Sequence, residues 1–452
     1  MVGILSSIKS KKTTEDYLLA GQDVKPWMVA LSAVATNNSG YMFIGMIGYT
    51  YIAGLSSIWI QVGWIFGDFL MSLFIHKKVR CLSQEKKIVS FSSILSNWTG
   101  KDYKILRMLC GIITIIFLSI YAAAQLKAGS KALYVMLGWE YYIGAIMGAF
   151  IVLLYCFSGG IRASIWADSA QSFVMIAAMG ILFITAVDQV GGISAFIDKL
   201  RDVSPDYLSV MVHDGTSTTL TATLLFLTGW MFAGFGVIGQ PHIMVRFMTI
   251  DNPDNMREAR YYYYSWYTAF AILTIGAGLA ARILIPEVSG FDPELALPTL
   301  SKQLLPEMLV GLVLAGLFAA TISTADSQIL SCCASLTNDF SKEGKKASYL
   351  VTKLGTLLIT MLALIIALNG GDSVFELVVI AWSVLGSAFA PLIIVYALGG
   401  KPSEVTAIIM VIVGVGALGL WRFFGFDSFM YEIAPGMTSG LVVYLISKEF
   451  KR

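Results

Sequence analysis

Three stretches of this chain place polar side chains where the flanking residues are apolar enough to enter lipid. The first is Ala30–Tyr41, ALSAVATNNSGY, in which four adjacent polar residues precede a glycine. Asn and Ser compete with the helical backbone for hydrogen bonds and Gly loosens it, so the spacing predicts a broken helix. Main-chain carbonyls freed by such a break can coordinate a cation. The second is LAGLFAATISTADSQILSCC, where Ser323, Asp326 and Ser327 fall at i, i+3 and i+4 on one helical face, with Thr324 beside them. An oxygen-rich stripe of this kind suits a hard cation such as sodium. Asp326 itself costs about 2.5–3.5 kcal/mol at mid-membrane. The third is GWMFAGFGVIGQPHIMVRFM, where four glycines precede Gln240-Pro241-His242. Pro241 removes a donor there, and a plain proline kink is as good a reading as a functional break.

The rest of the chain has to hold these stretches inside a bilayer. Of its 452 residues 57% are hydrophobic and 13% charged, against about 25% charged in soluble proteins, and the mean hydropathy is +0.74. The net charge of +2 excludes the concentrated basic face of a nucleic-acid binder. Five cysteines and three histidines show no metal-ligand spacing, and no nucleophile–base motif or phosphate loop marks an enzyme. Apolar runs predict twelve spans, near 26–47, 55–76, 105–134, 140–159, 162–187, 219–247, 260–285, 305–336, 347–369, 373–398, 403–424 and 428–447.

Lys and Arg concentrate in alternate loops: the N-terminal KSKK, the segment 76–104, Arg162, Arg246 to Arg260, Lys342 to Lys346, Lys401 and the tail. The opposite loops are uncharged or acidic, as at Glu287, Asp292 and Glu294, with Lys199 and Arg201 offset by neighbouring aspartates. Both termini are therefore expected in the cytoplasm, in a cell inner membrane, and the sequon Asn97-Trp98-Thr99 would be idle there. The run Tyr261–Tyr267 reads as an interfacial aromatic belt. Spans 1 and 6 are both interrupted and lie five apart, the pattern of an inverted-repeat transporter. We expect a cytoplasmic segment over 1–25, a ten-helix core over 26–398 and two peripheral helices over 399–452.

The motifs TTEDYLLAG, VALSA–SG, SGGIRASIWADSAQ, GQPHIMVRFM and STADSQILSCCASLTNDF come in the order found in sodium/solute symporters. The chain resembles that family from residue 13 to 447, most closely its sodium/proline branch. The resemblance implies an all-α LeuT-type five-plus-five inverted repeat, with the family's extra N-terminal helix missing. It implies no catalytic residue, and sodium-coupled import of a small organic solute, proline or a related amino acid. Another carboxylate-bearing solute, or a sensor that has lost transport, are the alternatives.

It places sodium on the carbonyls of Ala35, Asn38 and Ala320 and the hydroxyls of Ser323 and Thr324. It admits a second cation at Asp168, Ser323, Asp326 and Ser327, unless Asp168 pairs with Arg162 at the cytoplasmic mouth. Candidate solute contacts are Asn37, Ser39 and Gly40, Tyr121 and Gln125, Trp230, Phe235 and Gln240, and Trp382. The partners are then the solute and the lipid bilayer, with no nucleic acid; the oligomeric state is left open. Two departures stand out. The proline branch has Asp where this chain has Asn37, so a compensating charge is expected from Asp326. The segment before GQPH is three residues longer, putting Val237 where the branch has Tyr and displacing Trp230 by one turn.

Overall fold

The computed structural model describes residues 13–213, 219–285, 290–340, 348–371 and 373–449. Lys9, Lys11, Lys12, Glu287, Lys342, Lys345, Lys346, Lys451 and Arg452, used above for orientation, lie outside them. Among the described residues the chain is helical apart from connections and one parallel bridge, Val24 with Ile250. Among the described residues nine helices of eighteen residues or more are apolar enough to cross a membrane, and Tyr141–Phe157 is a shorter apolar helix. Span 12, Ile433–Glu449, is short as well, and the first half of span 1 carries the polar cluster, so neither stands among those nine.

Local chemistry sets the ends. Pro26 opens span 1 at a position where its missing N–H costs nothing. Ser348, Ser373 and Ser403 cap spans 9, 10 and 11, each accepting from the backbone N–H three residues on. Spans 4 and 5 run as one assigned helix, Tyr141–Val190, and separate at Gly160, whose φ of +60° only glycine adopts freely.

Both predicted interruptions are present. Span 1 is Pro26–Phe43 followed by Gly45–Ala53, and inside the first piece Ser39 leaves helical geometry at φ 51°, ψ −175°. Span 6 is Leu220–Phe235, then a 3-10 turn at Gly236–Gly239, an extended Gln240 and a last helix Pro241–Met248. It is a true break rather than a proline kink. The two lead the halves 1–5 and 6–10, and span 8 packs against spans 1, 3 and 5. Spans 2 and 6 approach so closely that a methyl on Gly67 would collide with the Met231 carbonyl.

Candidate functional site

At the break in span 1 the backbone finds side-chain partners. Gly40 N donates to Gln125 Oε1 at 2.8 Å and Tyr41 N to Ser39 Oγ at 3.1 Å, where a continuous helix would use the carbonyls of Thr36 and Asn37. The Thr36 carbonyl instead accepts from Thr324 Oγ1 on span 8 at 3.2 Å, and Thr36 Oγ1 lies 3.3 Å from Ser327 Oγ. Nearby, Ser323 Oγ and both polar atoms of Asn38 are buried with no hydrogen-bond partner among the described residues. Ala35 and Ala320 are fully buried. Orphaned polar groups buried away from solvent are costly unless a ligand meets them.

A turn further toward the N-terminus of span 1, Ser32 Oγ donates to Asp168 Oδ2 at 2.6 Å. Sequence reasoning missed the group that governs this region, Arg246. Its NH2 lies 3.2 Å from Asp168 Oδ2 and 2.5 Å from Ser164 Oγ, and it also donates to Ser327 Oγ. Both charged side chains are 1% exposed or less. The guanidinium thus stands between Asp168 and Ser327, where the resemblance admitted a second cation, and its field also reaches Asp326. Asp168 does not pair with Arg162, which holds Asp16 and Asp23 instead. The signal for Arg246 was present: an arginine inside an apolar run, counted above only as loop charge.

Asn37 and Asp326 are not brought together. Successive helical residues point about 100° apart. Thr36 therefore faces span 8, while Asn37 Nδ2 donates to Tyr263 OH on span 7 at 2.6 Å. This also corrects the reading of 261–267 as an interfacial belt. Tyr261 and Tyr262 are exposed, but Tyr263 and Tyr267 are buried against the core.

Of the solute candidates, Tyr121 and Trp382 meet with ring centroids 6.5 Å apart, and Ser39 Oγ is 3.4 Å from Tyr121 OH. Gln240 Nε2 holds the Trp382 carbonyl at 3.0 Å, and Trp382 Nε1 donates to Ala233 O. Trp230 stacks on Trp64, which in turn lies 4.4 Å from Trp382. The ring contact of Phe235 is with Phe232 instead. His242, buried with both nitrogens free of partners, packs edge-on to Tyr121 and Trp382; it joins this group without having been singled out.

Residues 17–414 match the model of the Sodium:solute symporter family, and the chain belongs to that family. It is a sodium-coupled solute transporter of the membrane, not an enzyme. It is 28% identical to the high-affinity proline transporter PutP of Bacillus subtilis, over 99% of this chain and 95% of the relative. It is 29% identical to a sodium/proline symporter of Staphylococcus aureus, over 100% and 90%. In fold it is similar to a Na+-coupled sialic acid symporter, with a TM-score of 0.83, 20% identity and 99% and 94% of the two chains covered. The nucleobase-cation symporter Mhp1 gives 0.62 at 12% identity, covering 96% and 94%. These neighbours share the LeuT fold.

Proposed function

We propose that this chain imports proline or a closely similar amino acid together with sodium, by alternating access. Sodium would sit on the carbonyls of Ala35, Asn38 and Ala320 and the hydroxyls of Ser323 and Thr324. The observation that carries this is the contact of span 8 with the broken part of span 1, Thr324 Oγ1 to Thr36 O, beside the orphaned Ser323 Oγ. The solute would lie against Ser39, Gly40, Gln125, Tyr121 and Trp382. None of these side chains carries a charge, which suits a compact zwitterion whose carboxylate shares the sodium's field. Proline is named because the relatives bearing that solute in their names cover nearly the whole chain.

Sodium would join span 1 to span 8 and so favour the solute-binding shape. The solute would in turn strengthen sodium binding, by reciprocity. One charge crossing 100 mV supplies about 2.3 kcal/mol and a tenfold sodium gradient about 1.4 kcal/mol. Together they concentrate a neutral solute roughly several hundredfold. We place both termini in the cytoplasm of an inner membrane, with 26–398 as the transport core. The test is uptake into proteoliposomes of labelled proline, other amino acids and carboxylates, with and without an inward sodium gradient. Sodium-driven proline accumulation is the expected result. Accumulation of another carboxylate alone replaces the solute, and absence of both uptake and counterflow defeats the transport reading.

A further inference from the structure

Asp68 takes no part in the sites above, yet it is fully buried in span 2 and neither carboxylate oxygen has a hydrogen-bond partner among the described residues. It makes no ion pair among the described residues. An ionised carboxylate in such a place is strongly disfavoured. Its position is central. The backbone of Asp68 abuts Gly234, two residues before span 6 breaks. The phenols of Tyr263 and Tyr264 on span 7 face its carboxylate, and Tyr267 lies within reach of its field. Tyr263 OH accepts from Asn37 Nδ2, which leaves the phenolic proton free to be given to Asp68. Asn37, Tyr263 and Asp68 thus form a chain whose last link is open in this structure.

We propose that Asp68 is a proton-binding carboxylate that acts, through Tyr263 and Asn37, on the break in span 1. The surrounding groups favour a proton over a metal ion. The phenols of Tyr263 and Tyr264 and the indole of Trp64, one turn away on the same helix face, are donors suited to a carboxylate. A sodium ion would need several acceptor oxygens converging there. In the neutral form the acid sits in its dry pocket with the link to Tyr263 open. On ionising, it gives its proton to water on the Ser72 side of span 2 and accepts the Tyr263 O–H, drawing Asn37 and the break in span 1 toward span 7. Ser72 lies one turn along the same face, held by Arg260 through Nε to its hydroxyl and NH2 to its carbonyl, both 3.0 Å. His76 follows a further turn on. Span 6, packed along span 2, brings no ionisable side chain before His242.

The test uses purified full-length protein, infrared difference spectra between acid and alkaline pH, and 22Na+ binding across the same range. In the wild type a protonated-carboxyl band titrates, and Asp68→Asn removes it together with the pH dependence of 22Na+ binding. Asp68→Glu keeps a titrating band at a shifted midpoint. Tyr263→Phe leaves the acid in place and raises its midpoint by about one to two pH units, the loss of one bond to a charged acceptor. The proposal is overturned if Asp68→Asn leaves the titrating bands unchanged, if Tyr263→Phe leaves the midpoint unmoved, or if Asp68→Asn loses one bound 22Na+, which would make the site a sodium site. Failure of the sodium reading at span 8 is a separate result: Ser323→Ala and Thr324→Ala would then bind 22Na+ normally, whatever the Asp68 band does.

Discussion

Replacing Arg246 by Met tests how the core manages its buried charge. The guanidinium is fully buried, 3.2 Å from Asp168, and spans from the second half of span 6 to spans 5 and 8. At that distance the attraction is about 5 kcal/mol for an effective dielectric constant near 20. Desolvation of both groups cancels much of this, so the pair as a whole adds little to stability. Removing one partner is different, because it strands the other charge, at about 3–5 kcal/mol. Arg246→Met should therefore lower thermal stability in detergent by that amount, while Arg246→Met with Asp168→Asn should recover most of it. Sodium should then stabilise the single variant more than the wild type, because Asp168, Asp326 and Ser327 are left facing vacated space. One new site filled at a hundred times its Kd adds about 2.7 kcal/mol. Melting curves in sodium chloride and in choline chloride, for both single variants and the double, read all of this. A loss below about 1 kcal/mol for Arg246→Met, or simple additivity in the double variant, would refute the reasoning.

Thr324→Ala deletes a proposed sodium ligand and the bond to the Thr36 carbonyl; we expect sodium affinity to fall about ten- to a hundredfold, read by 22Na+ binding, with proline uptake falling in parallel. Gly40→Ala should abolish uptake without preventing insertion, because the added methyl would sit 2.6 Å from Thr321 Cγ2 and 3.0 Å from Ala128 Cβ, wedging spans 1, 3 and 8 apart. Asp339, just past the end of span 8, is pushed up to about 6 by burial, against hydrogen bonds from Ser90 and Ser93. A carboxyl raised in the folded state stabilises most below its unfolded value near 4 and loses that as pH rises to about 6, at most about 3 kcal/mol. Melting temperature should fall over that window in the wild type and stay flat in Asp339→Asn.

Backbone interruptions were legible because their cause is local. TNNSG and GQPH carry residues that weaken a helix wherever they occur, and both breaks fall where those residues stand. The pairing of side chains was not legible, since it depends on how helices rotate against one another. Asn37 and Thr36 are neighbours in sequence but serve spans 7 and 8, a division no one-dimensional pattern displays. Arg246 hid for a different reason. Its position near the end of a span fitted a cytoplasmic anchor, and only the break at Gln240 carries it inward to Asp168. Tyr263 hid inside a run of aromatics whose outer members do lie at the surface.

The buried charges make an electrostatic argument for coupling. Asp68, Asp168 and Asp326 lie in the core with Arg246 as the basic side chain facing two of them. With all three acids ionised, this group of four carries two negative charges in excess. A chamber of that charge cannot be sealed from water on both sides at acceptable cost. Yet both ends are latched here. Lys131 holds Asp292 and Glu294 at 2.7 Å, with Glu294 also accepting from the N-termini of span 10 at Val374 and Phe375; at the other end Arg162 holds Asp16 and Asp23. A closed molecule is therefore one whose core has been neutralised. One sodium at the site proposed beside span 8 and one proton on Asp68 would bring that sum to zero. Without them, water must enter from one side, which keeps that gate open. On the two proposals above, charge neutrality would permit both gates to shut only with the coupling ions aboard, and this is what transport without leakage of the ion gradient requires.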